Sequence, residues 1–251
     1  VRTSFNRELE FRGNFLAKVG ENIVWMVFFI LIIQVVYMNA DSVAGWSKGD
    51  GYILAATCFL LLAIVNAIFT FGLVELPDKV RKGTLDFDLV KPIDIQFLLS
   101  LRKFNFSEVG TLLVGIVIVF VGASMAGHAP GAKEISLYFL MLACSICIFY
   151  SFNLMMMTTS IWLVRVDNLW VLGHTVFDIA RFPLDIFGAR LRILLTYYLP
   201  LAYIATMPAK ALLGTLDAKH AIIGVLWACG FFVFSRKFLK FALRHYTSAS
   251  S

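Results

Sequence analysis

The residues best suited to chemistry are few and scattered. Cys144 and Cys147 form a C-x-x-C pair, the spacing of redox and metal sites. The pair lies inside an uncharged apolar run, Ile135 to Val164. Redox use of this motif needs a βα setting and an accessible thiolate. The two thiols therefore read as small apolar residues one helical turn apart. Cys58 and Cys229 also sit in apolar runs, so no disulfide framework and no zinc site is expected. His128, His174, His220 and His245 are widely separated, and no H-E-x-x-H occurs. Gly127-His128-Ala129-Pro130-Gly131-Ala132-Lys133 comes nearest to a nucleotide-binding loop, but its spacing is wrong for G-x-x-x-x-G-K-[ST]. No catalytic residues, no metal and no cofactor bound by this chain are expected.

Charges inside apolar sequence are more informative. Asp178 and Arg181 stand three apart, and Arg181 and Asp185 four apart. On one helix face they predict an ion-paired triad. Such charges at membrane depth are functional candidates by default. The alternative is an interfacial helix whose charges meet water, and the residues leave both open. Gln34, Asn66 and Asn153 interrupt other apolar runs. They suit interhelical hydrogen bonds or contact with a transported molecule.

The longest polar stretch is Glu75 to Lys103, ELPDKVRKGTLDFDLVKPIDIQFLLSLRK. Acids and bases alternate there with Leu85, Phe87, Leu89, Val90 and Ile93. A plain linker needs no such apolar residues. The pattern fits a docking element, with charges setting register and apolar side chains filling a partner's groove. Interfacial helices packed on the protein's own spans are the competing explanation.

The elements that must carry these residues are membrane helices. Of 251 residues, 60% are hydrophobic and 15% charged, against about 45–50% and about 25% in soluble domains. The mean hydropathy is +0.82. Uncharged runs cover Ile23 to Tyr37, Ile53 to Val74, Leu112 to Ala126 and Ile135 to Val164. A crossing needs roughly 20 apolar residues. The expected fold is an all-α integral membrane protein, a single domain. Residues 1–21 form an amphipathic interfacial helix and 22–38 the first span. Spans two to four cover 52–74, 106–126 and 134–164, with the cytoplasmic loop at 75–103. A fifth span covers 168–187, a broken or re-entrant segment 188–214, a sixth span 220–238 and a tail 239–251. Pro200 and Pro208 mark the broken segment. The first span is expected to serve as its own insertion signal.

The net charge of +6 does not point to nucleic acid, because in a membrane protein the distribution of Lys and Arg matters more than their sum. With the N-terminus inside, the inner segments gather Arg2, Arg7, Arg12 and Lys18, the six bases of the 75–103 loop, Arg165, and the four bases of the tail. The two short outer loops hold Lys48 and Lys133 alone. Both termini are therefore expected in the cytoplasm. Arg181, Arg190, Arg192, Lys210 and Lys219 do not fit this asymmetry.

Three stretches carry a family resemblance. Gly83-Thr84-Leu85-Asp86-Phe87-Asp88-Leu89-Val90-Lys91-Pro92 is similar to "G-x-L-D-x-x-L-x-K-P". Ala180-Arg181-Phe182-Pro183, followed later by Leu199-Pro200, is similar to "A-R-[YF]-P" with a Leu-Pro pair. The end, Arg244 to Ser250, resembles an "R-x-Y-x-S-A" tail. Together, over nearly the whole chain, they resemble the permease subunits of ABC-2 type exporters in a six-span bacterial branch of poorly known substrate. The resemblance implies a coupling helix in the first cytoplasmic loop that docks a separate ATPase. That role falls on Thr84, Leu85, Asp86, Phe87, Asp88, Leu89, Lys91 and Asp94. It also implies a re-entrant hairpin between spans five and six, which places Pro200 with Asp178, Arg181 and Asp185 as functional candidates. Its further implications are two ATPase copies carrying ATP and Mg, a second permease chain, identical or a sibling, and a bacterial cytoplasmic membrane. An ion-coupled secondary transporter is the alternative; it would rely on acids near the midplane and usually on an internal repeat, and no convincing repeat is visible. A membrane enzyme acting on lipids would need a catalytic constellation, and none is visible.

Overall fold

A computed structural model describes residues 12–127, 129–163 and 167–246. The first eleven residues, His128, Arg165 and the tail from Thr247 lie outside the described residues, and so do most of the expected interfacial helix and the end of the tail motif. The described helices are α1 (Arg12–Met38), α2 (Lys48–Val65), α3 (Phe71–Arg81), α4 (Asp86–Leu89), α5 (Ile95–Ser100) and α6 (Glu108–Met125). They continue with α7 (Ala132–Thr158), α8 (Asp167–Asp178), α9 (Ala189–Ile193), α10 (Thr206–Leu212) and α11 (Ala218–Arg244). A π-helical turn, Asn66–Thr70, joins α2 to α3.

Among the described residues, five helices are long and apolar enough to cross a membrane. One of them is the unbroken rod Lys48–Arg81, made of α2, the π turn and α3. At 1.5 Å per residue it is about 50 Å long, more than the roughly 30 Å of hydrocarbon. It therefore projects into what the sequence assigns to the loop at 75–103. The rod begins cleanly because Ser47 and Asp50 form a reciprocal capping box. Residues 12–21, expected in a separate interfacial helix, continue the first span without a break.

The expected fifth span, 168–187, is not one helix. It is α8 followed by 3-10 turns at Ile179–Arg181 and Leu184–Ile186. Pro183 explains the break, since it forces the preceding Phe182 into extended backbone (φ −106°, ψ 150°). α8 runs antiparallel to α7, with Gly173 against Met156 and Phe177 against Phe149 and Phe152. α11 runs parallel to α7, with Gly224 beside Met141, Cys147 donating to the Ala228 carbonyl and Trp162 packed on Phe238 and Phe241. The chain between α7 and α11 must therefore return from one end of the bundle to the other. Segment 188–214 contains α9, a π turn, a 3-10 turn and the buried α10. It dips inward far enough for Ser145 of α7 to bond the Tyr203 carbonyl.

Among the described residues, three apolar clusters hold the bundle. The largest joins α2, α7, α8 and α10 through residues such as Ile53, Phe149, Phe177 and Met207, with Tyr203 of the preceding 3-10 turn. A second packs Met26, Phe29 and Ile33 of α1 on Tyr52 and Ala56 of α2. A third sits under the loop, where Leu73, Leu76, Leu85 and Leu99 meet Tyr150, Leu154, Met157 and Leu239. That contact depends on Gly72, where a Cβ would lie 1.8 Å from the Leu99 carbonyl oxygen. Gly72→Ala is expected to cost about 1–3 kcal/mol by overpacking, read as a lower thermal midpoint in detergent. Gly230→Ala, at a site with nothing within 4 Å, is the control and should be neutral or stabilising.

Candidate functional site

The loop end of the rod is built around one carboxylate. Gly83 turns the chain back with a positive φ of 67°, which only glycine adopts freely. Leu85 then inserts into the third apolar cluster. One turn on, Asp88 is only 4% exposed. It accepts hydrogen bonds of 2.7 Å from both Lys79 and Lys91, and Arg102 lies 3.5 Å away. Burial alone would raise its pKa, but the bonds from Lys79 and Lys91 hold it below the usual aspartate range. Glu75 pairs with Lys103 beside it.

The second half of the loop is tied to two spans. Asp94 caps α5 by accepting from the Phe97 N–H at 3.2 Å and pairs with Arg236 of α11 at 2.7 Å. Gln96 donates to the Tyr150 hydroxyl of α7 at 3.1 Å, and Ser100 shares a 2.6 Å bond with the same hydroxyl. The loop thus grips α3, α7 and α11 together.

Of the eight expected docking residues, Leu85 and Asp88 face inward and act as anchors, and Asp86 is half-buried. Thr84, Phe87, Leu89, Lys91 and Asp94 face outward. Phe87 is 74% exposed and Val90 84%. Val90, one of the loop's apolar residues but not among the eight assigned to docking, lies three residues after Phe87 on the same helical face. The outer surface is an apolar knob of Phe87, Val90 and Ile93 ringed by charge.

A second polar group lies in a cleft of about 380 Å³ between α1, the rod, α6 and the end of α8. Asn22 donates to Glu108 at 3.3 Å. Arg181 pairs with Asp178 at 2.8 Å, and its guanidinium lies 5.9 Å from the centre of the Phe59 ring. Asn66 lines the cleft and accepts from Thr70 at 2.8 Å. Arg181 Nε and the Thr111 hydroxyl have no hydrogen-bond partner among the described residues. Such donors at membrane depth call for a polar guest or water.

The expected Asp178–Arg181–Asp185 triad is not formed. Helix α8 ends at Asp178, and Asp185 is carried away to the far end of the rod. There it accepts from Trp46 Nε1 at 3.0 Å and from Lys210 at 2.8 Å, with Arg192 3.5 Å away. Three of the five bases that break the charge asymmetry thus have carboxylate partners, while Arg190 and Lys219 are exposed. The acids an ion-coupled mechanism would use are separated. Gln34 accepts from Lys48 at 2.8 Å, outside the cleft, and the buried Asn153 bonds its own helix at Phe149. Pro200 is buried where the backbone turns into the 3-10 segment Leu201–Tyr203.

The family model for ABC-2 family transporter protein matches residues 23–250. No curated protein matches the chain.

Asp88→Asn removes the close partner of the half-buried Lys79 and should loosen the loop by about 3 kcal/mol, read as hydrogen exchange over residues 84–91. Because the folded pKa is depressed, the carboxylate's contribution is complete above the ordinary value of about 3.9 and is lost only as the pH falls through the lower folded value. Wild-type protection should hold from neutral pH to about pH 5, whereas the variant lacks it throughout. Equal protection in both proteins contradicts the anchoring role.

Proposed function

Because this chain belongs to the ABC-2 transporter family and is a multi-pass membrane permease, we propose that it is the membrane subunit of an ATP-binding cassette exporter driven by a separate ATPase. ATP and Mg belong to that partner, present in two copies, and a second permease chain, identical or a sibling, completes the transporter. The substrate class is lipidic, amphipathic or polymeric. The seat is the bacterial cytoplasmic membrane with both termini inside, a reading supported by the Lys and Arg asymmetry. The parallel course of α7 and α11 supports a sixth crossing through α8 and the turns after it.

The observation that carries the docking role is the exposure of Phe87 and Val90 on a turn whose other face is locked by Asp88. A surface loop gains nothing from fixing two large apolar side chains in water, whereas a partner's groove does. Closure of the ATPases pushes on α4. The Asp88–Lys79 bond passes the displacement to the rod, and the Asp94–Arg236 pair passes it to α11. Phe59 and Asn66 of the rod line the polar cleft, so tilting the rod changes the cleft's shape and access. This is alternating access by a biased two-state equilibrium.

Phe87→Ser combined with Val90→Ser should cut recovery of the ATP-binding subunit with this chain more than about tenfold, as hot-spot loss does. The thermal midpoint of the chain itself should not change. An intact complex with normal ATP-driven transport overturns the docking assignment.

A further inference from the structure

The end of the bundle opposite the coupling loop holds a polar pocket of about 380 Å³ that the exporter reading does not use. It lies between the broken segment and the start of α11. Its wall is made by Thr206 of α10, by Tyr197 and His220, and by the charged side chains of Asp185, Arg192 and Lys210. Thr206 is only 2% exposed, and its hydroxyl has no hydrogen-bond partner among the described residues. A buried hydroxyl left in this way is costly unless something fills the space beside it.

The charges define the guest. Asp185 and Asp217 face Lys210 and Arg192 around the same space. Lys210 is spent on Asp185 at 2.8 Å, and Asp217 lies 3.9 Å from His220. An anion entering here meets two carboxylates, and a cation meets an ammonium and a guanidinium. A neutral group with many hydroxyls meets neither obstacle, because each hydroxyl both donates and accepts. Tyr197 and His220, tilted 34° to one another with ring centres 6.4 Å apart, put aromatic faces at the rim. Flat rings pack well against the C–H faces of a sugar.

We propose that this pocket binds a neutral, hydroxyl-rich group, a glycosyl or polyol unit, through the Thr206 hydroxyl, the Asp185–Lys210 pair and the Tyr197 ring. The site is independent of the coupling loop and goes beyond the exporter reading. Its test needs no ATPase.

The full chain, purified in a detergent free of glucosides and maltosides, is exposed to vesicles of glucosyl diacylglycerol or of phosphatidylglycerol and weighed by native mass spectrometry. The wild type should retain the glycolipid in clear preference. Thr206→Val, which keeps shape and removes the hydroxyl, should lower that retention about five-fold. Tyr197→Leu, a change at an exposed ring, should lower it as well. Where the variants lose binding, displacement of the glycolipid by methyl glucoside shows that the sugar alone is recognised. Failure of methyl glucoside to displace it shows that the lipid-borne headgroup is required. Equal retention of both lipids by the wild type, or an unchanged preference in both variants, overturns the proposal.

Discussion

Hydrocarbon offers no partner to a polar group, and the rod from Lys48 to Arg81 is where the chain meets that constraint at every depth. Its backbone is helical throughout, interrupted by the π turn at Asn66–Thr70 and by Pro77 inside α3, which has no N–H to donate. A π turn leaves the ladder imperfect, and here the Asn105 N–H supplies a 2.8 Å bond to the Ala67 carbonyl. Along the rod the side chains repeat the solution. Thr57 bonds Ile53 and meets the Tyr138 hydroxyl, Phe59 faces Arg181, and Lys79 holds Asp88. The polar cleft and the coupling loop both touch this one element.

The two ends of the bundle use the same device with opposite consequences. At the loop end, one acid is surrounded by three bases, and the product is a rigid platform from which Phe87 and Val90 project. At the far end, Asp185 binds Trp46 and Lys210 and fastens the broken segment to the start of the rod. Within the broken segment only the part from Pro200 to Leu212 is buried against α7 and the rod, while Leu191, Ile193, Leu194 and Tyr198 before it are exposed. Between the ends, Arg181 and Thr111 keep unused donors in the cleft.

The sequence carried the spans because uncharged runs have no other explanation, and it carried the loop because Leu85, Phe87 and Leu89 make no sense in a linker. It did not carry the division of that loop into anchors and contacts. Asp86 and Asp88 look alike in the string, and only the direction of each side chain on α4 makes one a buried hub. The helical triad failed for a local reason, since α8 ends at Asp178 and Pro183 holds Phe182 in extended backbone before Asp185 is reached. The excess bases, among them Arg181, Arg192 and Lys210, did not fit the charge asymmetry. Their partners, Asp178 and Asp185, were visible, but the long-range approach of Lys210 to Asp185 was not. Thr111 and Thr206 gave no signal, because an unpartnered hydroxyl is a property of packing and not of residue type.

The most direct measurement is pulsed electron paramagnetic resonance on the assembled transporter. One label pair spans the rod at Lys48 and Lys82, and a second joins Lys82 to Lys219 at the start of α11. If the rod carries motion from the loop, binding of a non-hydrolysable ATP analogue leaves the first distance unchanged and shifts the second by several ångströms. A second distance that stays fixed, or a change confined to the first, contradicts transmission by a rigid rod.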